Sequence, residues 1–451
     1  MTSYITAFLS KTVSLLWGPA TVLVFLALGL YFTAGIGGIQ LLRPDLWLLR
    51  PLKILFSKGG SPAKAGICTV LAATVGTGNV VGVAAALASG GAGAVLWMWV
   101  SAFAGMALGY AENVLGALYR PFQKGNSAGG AYLYIKHGLC SPALAGVFCT
   151  CCALAAFGIG NLTQCNAMAQ GIFCAASNMG IPFGKTGFFI LGILTLGAAA
   201  PAVLRGKKTV AKITSRLVPV MVVAYTVGAG IIIAANYQKI IPAFSLIFRS
   251  AFNIKSGIAG ITGFCISSAV KTGLARGLFS HEAGMGSSVA AHAAVKDNTP
   301  CQVGLMSMFE VFCDTVFICT LTALALITSG AYGKGDSNSV FMVCRAFSSV
   351  MGDFGNFFVA ASLAVFAFST LLGWEYIGED AFSALTGGKT FAYRVFYTLV
   401  IPLGFITQVN LCWLLSDLLN WFMAIPNLLA ITLLSGRVFN ERKNEKWDKK
   451  G

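Results

Sequence analysis

Charge is scarce in this chain. Of 451 residues only 31 are Lys or Arg and 15 are Asp or Glu, 10% together, with three histidines. An ordinary soluble domain carries about 25% charged residues. The chain is 57% hydrophobic with a mean hydropathy of +0.78, more apolar sequence than one soluble core can hide. Catalytic machinery is missing as well. There is no G-x-x-x-x-G-K-[ST] loop, which excludes P-loop nucleotide hydrolysis, and no nucleophile–base pair or metal cluster stands out, so the chain does not read as an enzyme. The net charge of +16 lies in basic clusters between apolar runs, with no basic stripe interleaved with aromatics. Nucleic acid is therefore not an expected partner; the clusters read as topology signals and contacts to membrane lipids. The thirteen cysteines form no disulfide framework. Most lie in apolar runs (Cys149, Cys151, Cys152, Cys165, Cys265, Cys313, Cys319), where cysteine behaves as a small hydrophobe.

What is abundant is the long apolar run. At roughly 20 residues per crossing, eleven segments qualify: 16–38, 65–88, 92–118, 141–176, 184–204, 214–235, 257–278, 300–329, 356–376, 391–411 and 413–435. This predicts an all-α polytopic membrane protein with about 11 transmembrane helices. Only Lys11 precedes the first run, which is longer than the h-region of a cleavable signal peptide, so it is taken as a retained span. With the C-terminus cytoplasmic, 24 of the 31 Lys and Arg fall inside and 7 outside. The positive-inside rule then sets the N-terminus outside.

With the extra N-terminal helix at 16–38 set aside, ten spans remain in one transmembrane domain covering 1–451. They form repeat 1 at 65–235 and repeat 2 at 257–435, followed by a cytoplasmic tail at 436–451. Two sets of five that enter from opposite sides are the pattern of an inverted repeat. The opening span of each set is interrupted: by Thr74-Val75-Gly76-Thr77-Gly78-Asn79 in the first, and by Gly260, Gly263, Ser267, Ser268 and Gly273 in the second. Inside a bilayer, unwound backbone survives only where protein or a water-filled cavity covers it. A broken helix offers free amides on one side of the break and free carbonyls on the other, suited to an anionic group beside a cation. Gly76, Thr77 and Gly78 are the expected cradle for a carboxylate, the competing reading being a small-residue packing face. Ser267 and Ser268 are candidate pocket-lining residues, unless their hydroxyls bond their own helix.

Ionisable residues at membrane depth are costly and functional by default; Glu112, Lys271, Arg276, Asp314, Glu375 and Asp417 qualify. Lys271 and Arg276 are expected to form gating ion pairs with Glu112 or Glu282, with snorkelling as the alternative. His137, His281 and His292 are expected in cytoplasmic loops.

The run from Gly90 to Gly105, GGAGAVLWMWVSAFAG, resembles the signature of the alanine/glycine:cation symporter family, within the amino acid-polyamine-cation superfamily; Leu96 stands where the family usually has Phe. Further matching stretches are GTGNVVGVA at 76–84, GIGNLTQCN at 158–166, GLARGLFSHEAGMGS at 273–287, FCDTVFICTLTAL at 312–324, AFSTLLGWEYIGEDA at 367–381 and MAIPNLLA at 423–430. The resemblance covers nearly the whole chain. It implies the neurotransmitter:sodium symporter-like fold and cation-coupled uptake of small neutral amino acids, alanine or glycine, in a bacterial plasma membrane. It further implies that Gln164 contacts the substrate together with Gly76, Thr77, Gly78 and Asn79. A Na⁺ site follows from the same likeness, with Ser369, Thr370 and the carbonyls of Ala72 and Val75 as ligands. A second, weaker cation site would use Asn79 and the Thr74 carbonyl. Some proton-coupled relatives carry a lysine on the fifth core helix; the sixth span has no basic residue from Leu217 to Ala235, which favours Na⁺ over H⁺. Another neutral amino acid, such as glutamine, and proton coupling remain the alternatives. No organic cofactor is expected.

Overall fold

Glycine decides how closely these helices approach. The computed structural model describes residues 2–57, 62–123, 129–252, 268–293, 298–333 and 339–445, and among them contains helices and no strand. The chain opens with α1 (Thr2–Leu16) and α2 (Pro19–Gly35). Thereafter α3 (Pro62–Thr74), α4 (Val81–Gly90), α5 (Ala94–Leu118), a short α6 (Ala131–Gly138), α7 (Pro142–Asn178), α8 (Lys185–Arg205), α9 (Lys207–Ala235) and α10 (Ile240–Ala251) follow. The rest comprises α11 (Ser268–His281), α12 (Val289–Ala293), α13 (Pro300–Thr328), α14 (Ser339–Met351), α15 (Asp353–Thr386), α16 (Phe391–Ile406), α17 (Val409–Leu433) and α18 (Ser435–Asn444). Among the described residues eight helices are long and apolar enough to cross a membrane, α1 and α2 counting as one from Thr6 to Gly35, and nine if the bent pair α3/α4 is one span. Of the eleven expected, α16 is shorter, at 16 residues with Pro402 inside it, and the seventh span begins in residues outside the described set.

The order of elements runs twice. A broken helix (α3/α4, then α11/α12) leads to a long helix (α5, α13), a short one (α6, α14) and a long one (α7, α15). Two more helices (α8 and α9, α16 and α17) and a short terminal helix (α10, α18) complete each set. Corresponding helices meet at the centre: α5 packs along α13, and α7 along α15. The α11–α5 crossing shows why small residues are needed. A Cβ built on Gly273 would lie 2.3 Å from the Ala94 carbonyl oxygen, and one on Gly277 would lie 2.8 Å from Ser101 Cβ. With no hydrophobic force between helices in lipid, such close backbone approach supplies the association. Gly273 is therefore a packing residue inside an intact helix, not part of an interruption.

The N-terminal segment begins earlier than expected. Helix α1 already packs on α17 and continues into α2 past a local irregularity at Trp17-Gly18, and Trp17 Nε1–H donates to the Asp417 carbonyl at 2.8 Å. Two helices also widen locally into π turns, at Ala156–Leu162 and Phe312–Ile318, a deformation frequent at functional sites.

Candidate functional site

The first break falls where the glycines of GTGN stand. α3 and α4 meet at 57°, with Gly76 extended (φ −139°, ψ −156°) and a single 3₁₀ turn from Thr77 to Asn79. In an intact helix the Gly76 and Thr77 amides would close on the Ala72 and Ala73 carbonyls. Instead Gly76 N–H donates to Asn79 Oδ1 at 2.8 Å, and Thr77 N–H donates to Gln164 Oε1 at 3.2 Å, joined there by the Thr77 hydroxyl at 2.8 Å. The Asn79 amide turns back to the Gly76 carbonyl, which also releases Val75. Gln164 is aimed by the π turn before it, its Nε2 donating to the Ile159 carbonyl at 2.9 Å.

Helix α15 closes this side of the break. A Cβ on Gly373 would lie 2.6 Å from Ala73 N and 3.0 Å from the Ala72 carbonyl carbon; one on Gly76 would lie 2.4 Å from Thr370 Oγ1. Ser369 and Thr370 are buried, and neither hydroxyl has a hydrogen-bond partner among the described residues. An unsatisfied buried hydroxyl costs about 1–3 kcal/mol, so two adjacent ones beside released carbonyls call for an occupant. An all-oxygen, uncharged donor set fits a hard monovalent cation.

Asn79 is committed elsewhere. Its Nδ2 donates to Asp314 Oδ1 at 2.6 Å, to the Asp314 carbonyl at 2.9 Å and to Ser280 Oγ at 3.2 Å, while Ser280 and Thr315 donate to Asp314 Oδ2, each at 2.7 Å. The Thr74 hydroxyl bonds the Val70 carbonyl within α3. Asn79 thus fastens the first break to α13.

Gly260 and Gly263 of the expected second interruption lie outside the described residues, and Gly273 lies within α11; among the described residues a second break stands elsewhere. It follows α11, at Glu282–Ser288, where Glu282, Gly284 and Gly286 have φ of 53°, 84° and 78°; only glycine adopts such values without penalty. Ser268 sits at the far end of α11 and, as expected of a pocket-lining residue, stands on the wall of an open cavity, away from the first break, its hydroxyl bonding the Ser89 carbonyl at 2.6 Å; Ser267 lies outside the described residues. The usable signal was the second Gly-x-Gly, in HEAGMGS. The breaks lie side by side, α11 packing on α4 and α12 on α3.

The expected ion pairs involving Glu112 and Glu282 are not formed. Glu112 fills the second break: its Oε2 accepts the amides of Gly284 (3.1 Å) and Gly286 (3.0 Å) and Asn427 Nδ2 (2.8 Å), and its Oε1 accepts the Ser288 hydroxyl at 3.3 Å. Tyr134 in turn holds Asn427 Oδ1. Glu282 accepts Trp374 Nε1–H and the Ser287 hydroxyl, both at 3.0 Å. Arg276 instead pairs with Asp417 of α17 at 3.0 Å, its guanidinium over Trp413 (4.8 Å) and Phe279 (5.5 Å). Lys271 makes no ion pair among the described residues. Nor are two of the histidines in loops. His281 ends α11 against Ser101 at 3.0 Å, and His292, in α12, meets Glu310 at 3.2 Å; both are buried.

An open cavity of 1120 Å³ reaches in between α4, α7, α11 and α17, with Lys271, Arg276 and Asp417 on its wall. Phe279 and Trp413, ring centroids 4.7 Å apart, also line it. A Cβ on Gly78 would touch Phe279 at 3.7 Å, so this aromatic pair stands between the cavity and the first break.

Two broken helices facing a polar centre in a helical bundle define a secondary-transporter architecture. The chain is similar in structure to MhsT in complex with L-phenylalanine, with a TM-score of 0.62 at 14% identity over 85% of this chain and 92% of that one, which gives the fold expected from the resemblance. In sequence, the profile of the sodium:alanine symporter family matches residues 2–451, and the chain belongs to that family. It is 40% identical to the sodium/alanine symporter AgcS of Methanococcus maripaludis, over 96% of this chain and 97% of that protein. It is 32% identical to the probable sodium/glutamine symporter GlnT of Bacillus subtilis, over 97% and 90%. The chain is a multi-pass membrane transporter, not an enzyme.

Proposed function

We propose that this protein couples Na⁺ entry to the uptake of alanine or glycine by alternating access. The observation that carries the reading is the pair of buried hydroxyls of Ser369 and Thr370, without partners among the described residues, on the helix that closes the first break, with Thr370 Oγ1 against Gly76. In this reading Ala72 and Val75 complete the Na⁺ shell. The substrate carboxylate meets the amides of Gly76, Thr77 and Gly78, and Gln164 contacts the bound amino acid. The Arg276–Asp417 pair with Phe279 and Trp413 gates the route from the cavity. The absence of a basic residue from Leu217 to Ala235 supports Na⁺ rather than H⁺. The cavity has room for a bulkier neutral amino acid, so glutamine is the competing substrate.

The topology adopted is an N-terminus outside and a cytoplasmic C-terminus in a bacterial plasma membrane. The inverted repeats run over 65–235 and 257–435, a division supported by the duplicated order of elements. One Na⁺ falling through about 100 mV releases about 2.3 kcal/mol, and a tenfold gradient adds about 1.4 kcal/mol. Together these sustain roughly 500-fold accumulation of a zwitterion at one-to-one coupling. The test is uptake of labelled alanine into proteoliposomes. Uptake should vanish when choline replaces Na⁺ and persist with a protonophore; the reverse pattern would transfer the coupling to protons. Stronger competition by glutamine than by alanine would change the substrate.

A further inference from the structure

Away from the breaks, one end of α15 holds three buried carboxylates: Glu375, Glu379 and Asp380. Two of them are matched. Lys207, at the start of α9, reaches Asp380 Oδ1 at 2.5 Å, and Arg394 of α16 reaches Glu379 Oε1 at 2.5 Å, where Thr390 also donates at 3.0 Å. Glu375 is not matched. It is fully buried, and neither of its carboxyl oxygens has a donor among the described residues; Glu379 Oε2, one turn on, lacks one too. Residues four apart share a helix face, so these two carboxyls stand on adjacent turns of the same side of α15.

The groups facing them from neighbouring elements do not relieve the pair. Tyr393 and Tyr397 of α16 spend their hydroxyls on the Ala153 and Leu371 carbonyls, both at 3.0 Å. Cys152 of α7 lies nearby with a weakly donating thiol. Lys207 and Arg394 bond Asp380 Oδ1 and Glu379 Oε1 and make no hydrogen bond to Glu375, while Arg394 Nε is itself without a partner among the described residues. A buried carboxylate with no donor, one turn from a second carboxylate whose facing oxygen is also unpartnered, is strongly disfavoured in a low-dielectric interior, and a shared proton is the usual resolution. A metal ion is the other occupant that carboxylate oxygens accept, but no group of three His, Cys, Asp or Glu among the described residues is placed to hold one.

We propose that Glu375 and Glu379 form a proton-binding site, one proton lying between the Glu375 carboxyl and Glu379 Oε2. It braces the junction where α9 begins, α15 ends and α16 begins. The site is separate from the cation site: Glu375 is about 9 Å along the helix from Ser369 and about 120° around it. Losing the proton at alkaline pH leaves two anions on adjacent turns and loosens the junction.

The test compares the wild-type protein with Glu375→Gln, which keeps a donor towards Glu379 Oε2 at every pH, and with Glu375→Leu, which removes both charge and proton. The wild-type melting midpoint should fall from neutral to alkaline pH, with E375Q and E375L level across the same range. The infrared carboxylic-acid carbonyl band at neutral pH should lose intensity in both variants. Variants that keep the wild-type pH slope or the full band would overturn the proposal. So would failure of both to fold, because a site that holds a neutral acid must accept a neutral residue.

Discussion

The two breaks are built from the same three-residue pattern, Gly-Thr-Gly at 76–78 and Gly-Met-Gly at 284–286, yet they end in different chemical states. At the second, the freed amides of Gly284 and Gly286 are taken by the carboxyl group of Glu112, which Asn427 and Ser288 also bind. That break carries its own carboxyl group, and its amides are saturated. At the first, the freed amides meet only neutral oxygens, from Asn79 and Gln164, and two hydroxyls close by stay unpartnered. A built-in carboxyl group makes a break into a fixed joint. Neutral, exchangeable partners leave it open to a ligand.

If that contrast is right, substitutions at the joint should unfold the protein, whereas those at the open break should change its ligands. The largest effect is expected from Glu112→Ala. It strands two amides and a carboxamide in a region without water, where each unsatisfied group costs several kcal/mol. Monodisperse protein should be lost in size-exclusion chromatography, and Glu112→Gln, which keeps one acceptor oxygen, should fall between. Recovery of stable E112A protein would dissolve the distinction. Next comes Gly76→Ala, whose Cβ would sit 2.4 Å from Thr370 Oγ1. Folded protein with no Na⁺-driven alanine uptake is expected, against near-normal uptake for Gly82→Ala, where the nearest atom is 3.9 Å away.

The contrast was only half visible in the sequence. GTGN lies in the middle of a 24-residue apolar run, so the first break could be placed to the residue. The second could not. Gly284 and Gly286 fall beyond the apolar run, where a hydropathy window ends the span. Helix-packing glycines such as Gly273 and hinge glycines such as Gly284 are the same letter; only φ and the neighbouring backbone separate them. The charges were misassigned for a related reason. Depth marks Glu112 and Arg276 as functional, but pairing depends on which helices touch, and Arg276 faces α17 and so finds Asp417. The helical fold was more legible, because twenty-residue apolar periodicity survives whatever the helices pack against.

A middle-sized effect is expected for Thr370→Ala. Removing an unpartnered hydroxyl should leave the melting midpoint of the Na⁺-free protein unchanged or raise it, since its burial is costly. The half-saturating Na⁺ concentration should rise about tenfold, the scale of one hydrogen bond or ligand contact of about 1.4 kcal/mol. An unchanged Na⁺ dependence would detach Thr370 from the ion.

The smallest effect, and the sharpest test of an exchangeable partner, is at Gln164. Its Oε1 now occupies Thr77 N–H and the Thr77 hydroxyl, the donors assigned to the substrate carboxylate. The side chain is therefore both a rival for the cradle and a future contact to the ligand. A net hydrogen bond of about 0.5–1.5 kcal/mol acts with opposite sign in those roles, so Gln164→Ala should lower alanine affinity only a few-fold if the ligand contact prevails. Tighter binding by Q164A would mean that the glutamine serves mainly as a stopper. Gln164→Glu separates the two further: a carboxyl group already in the cradle makes the first break resemble the second. Such a variant should stay folded and lose alanine binding, because a carboxyl group built into the chain turns an open break into a fixed joint.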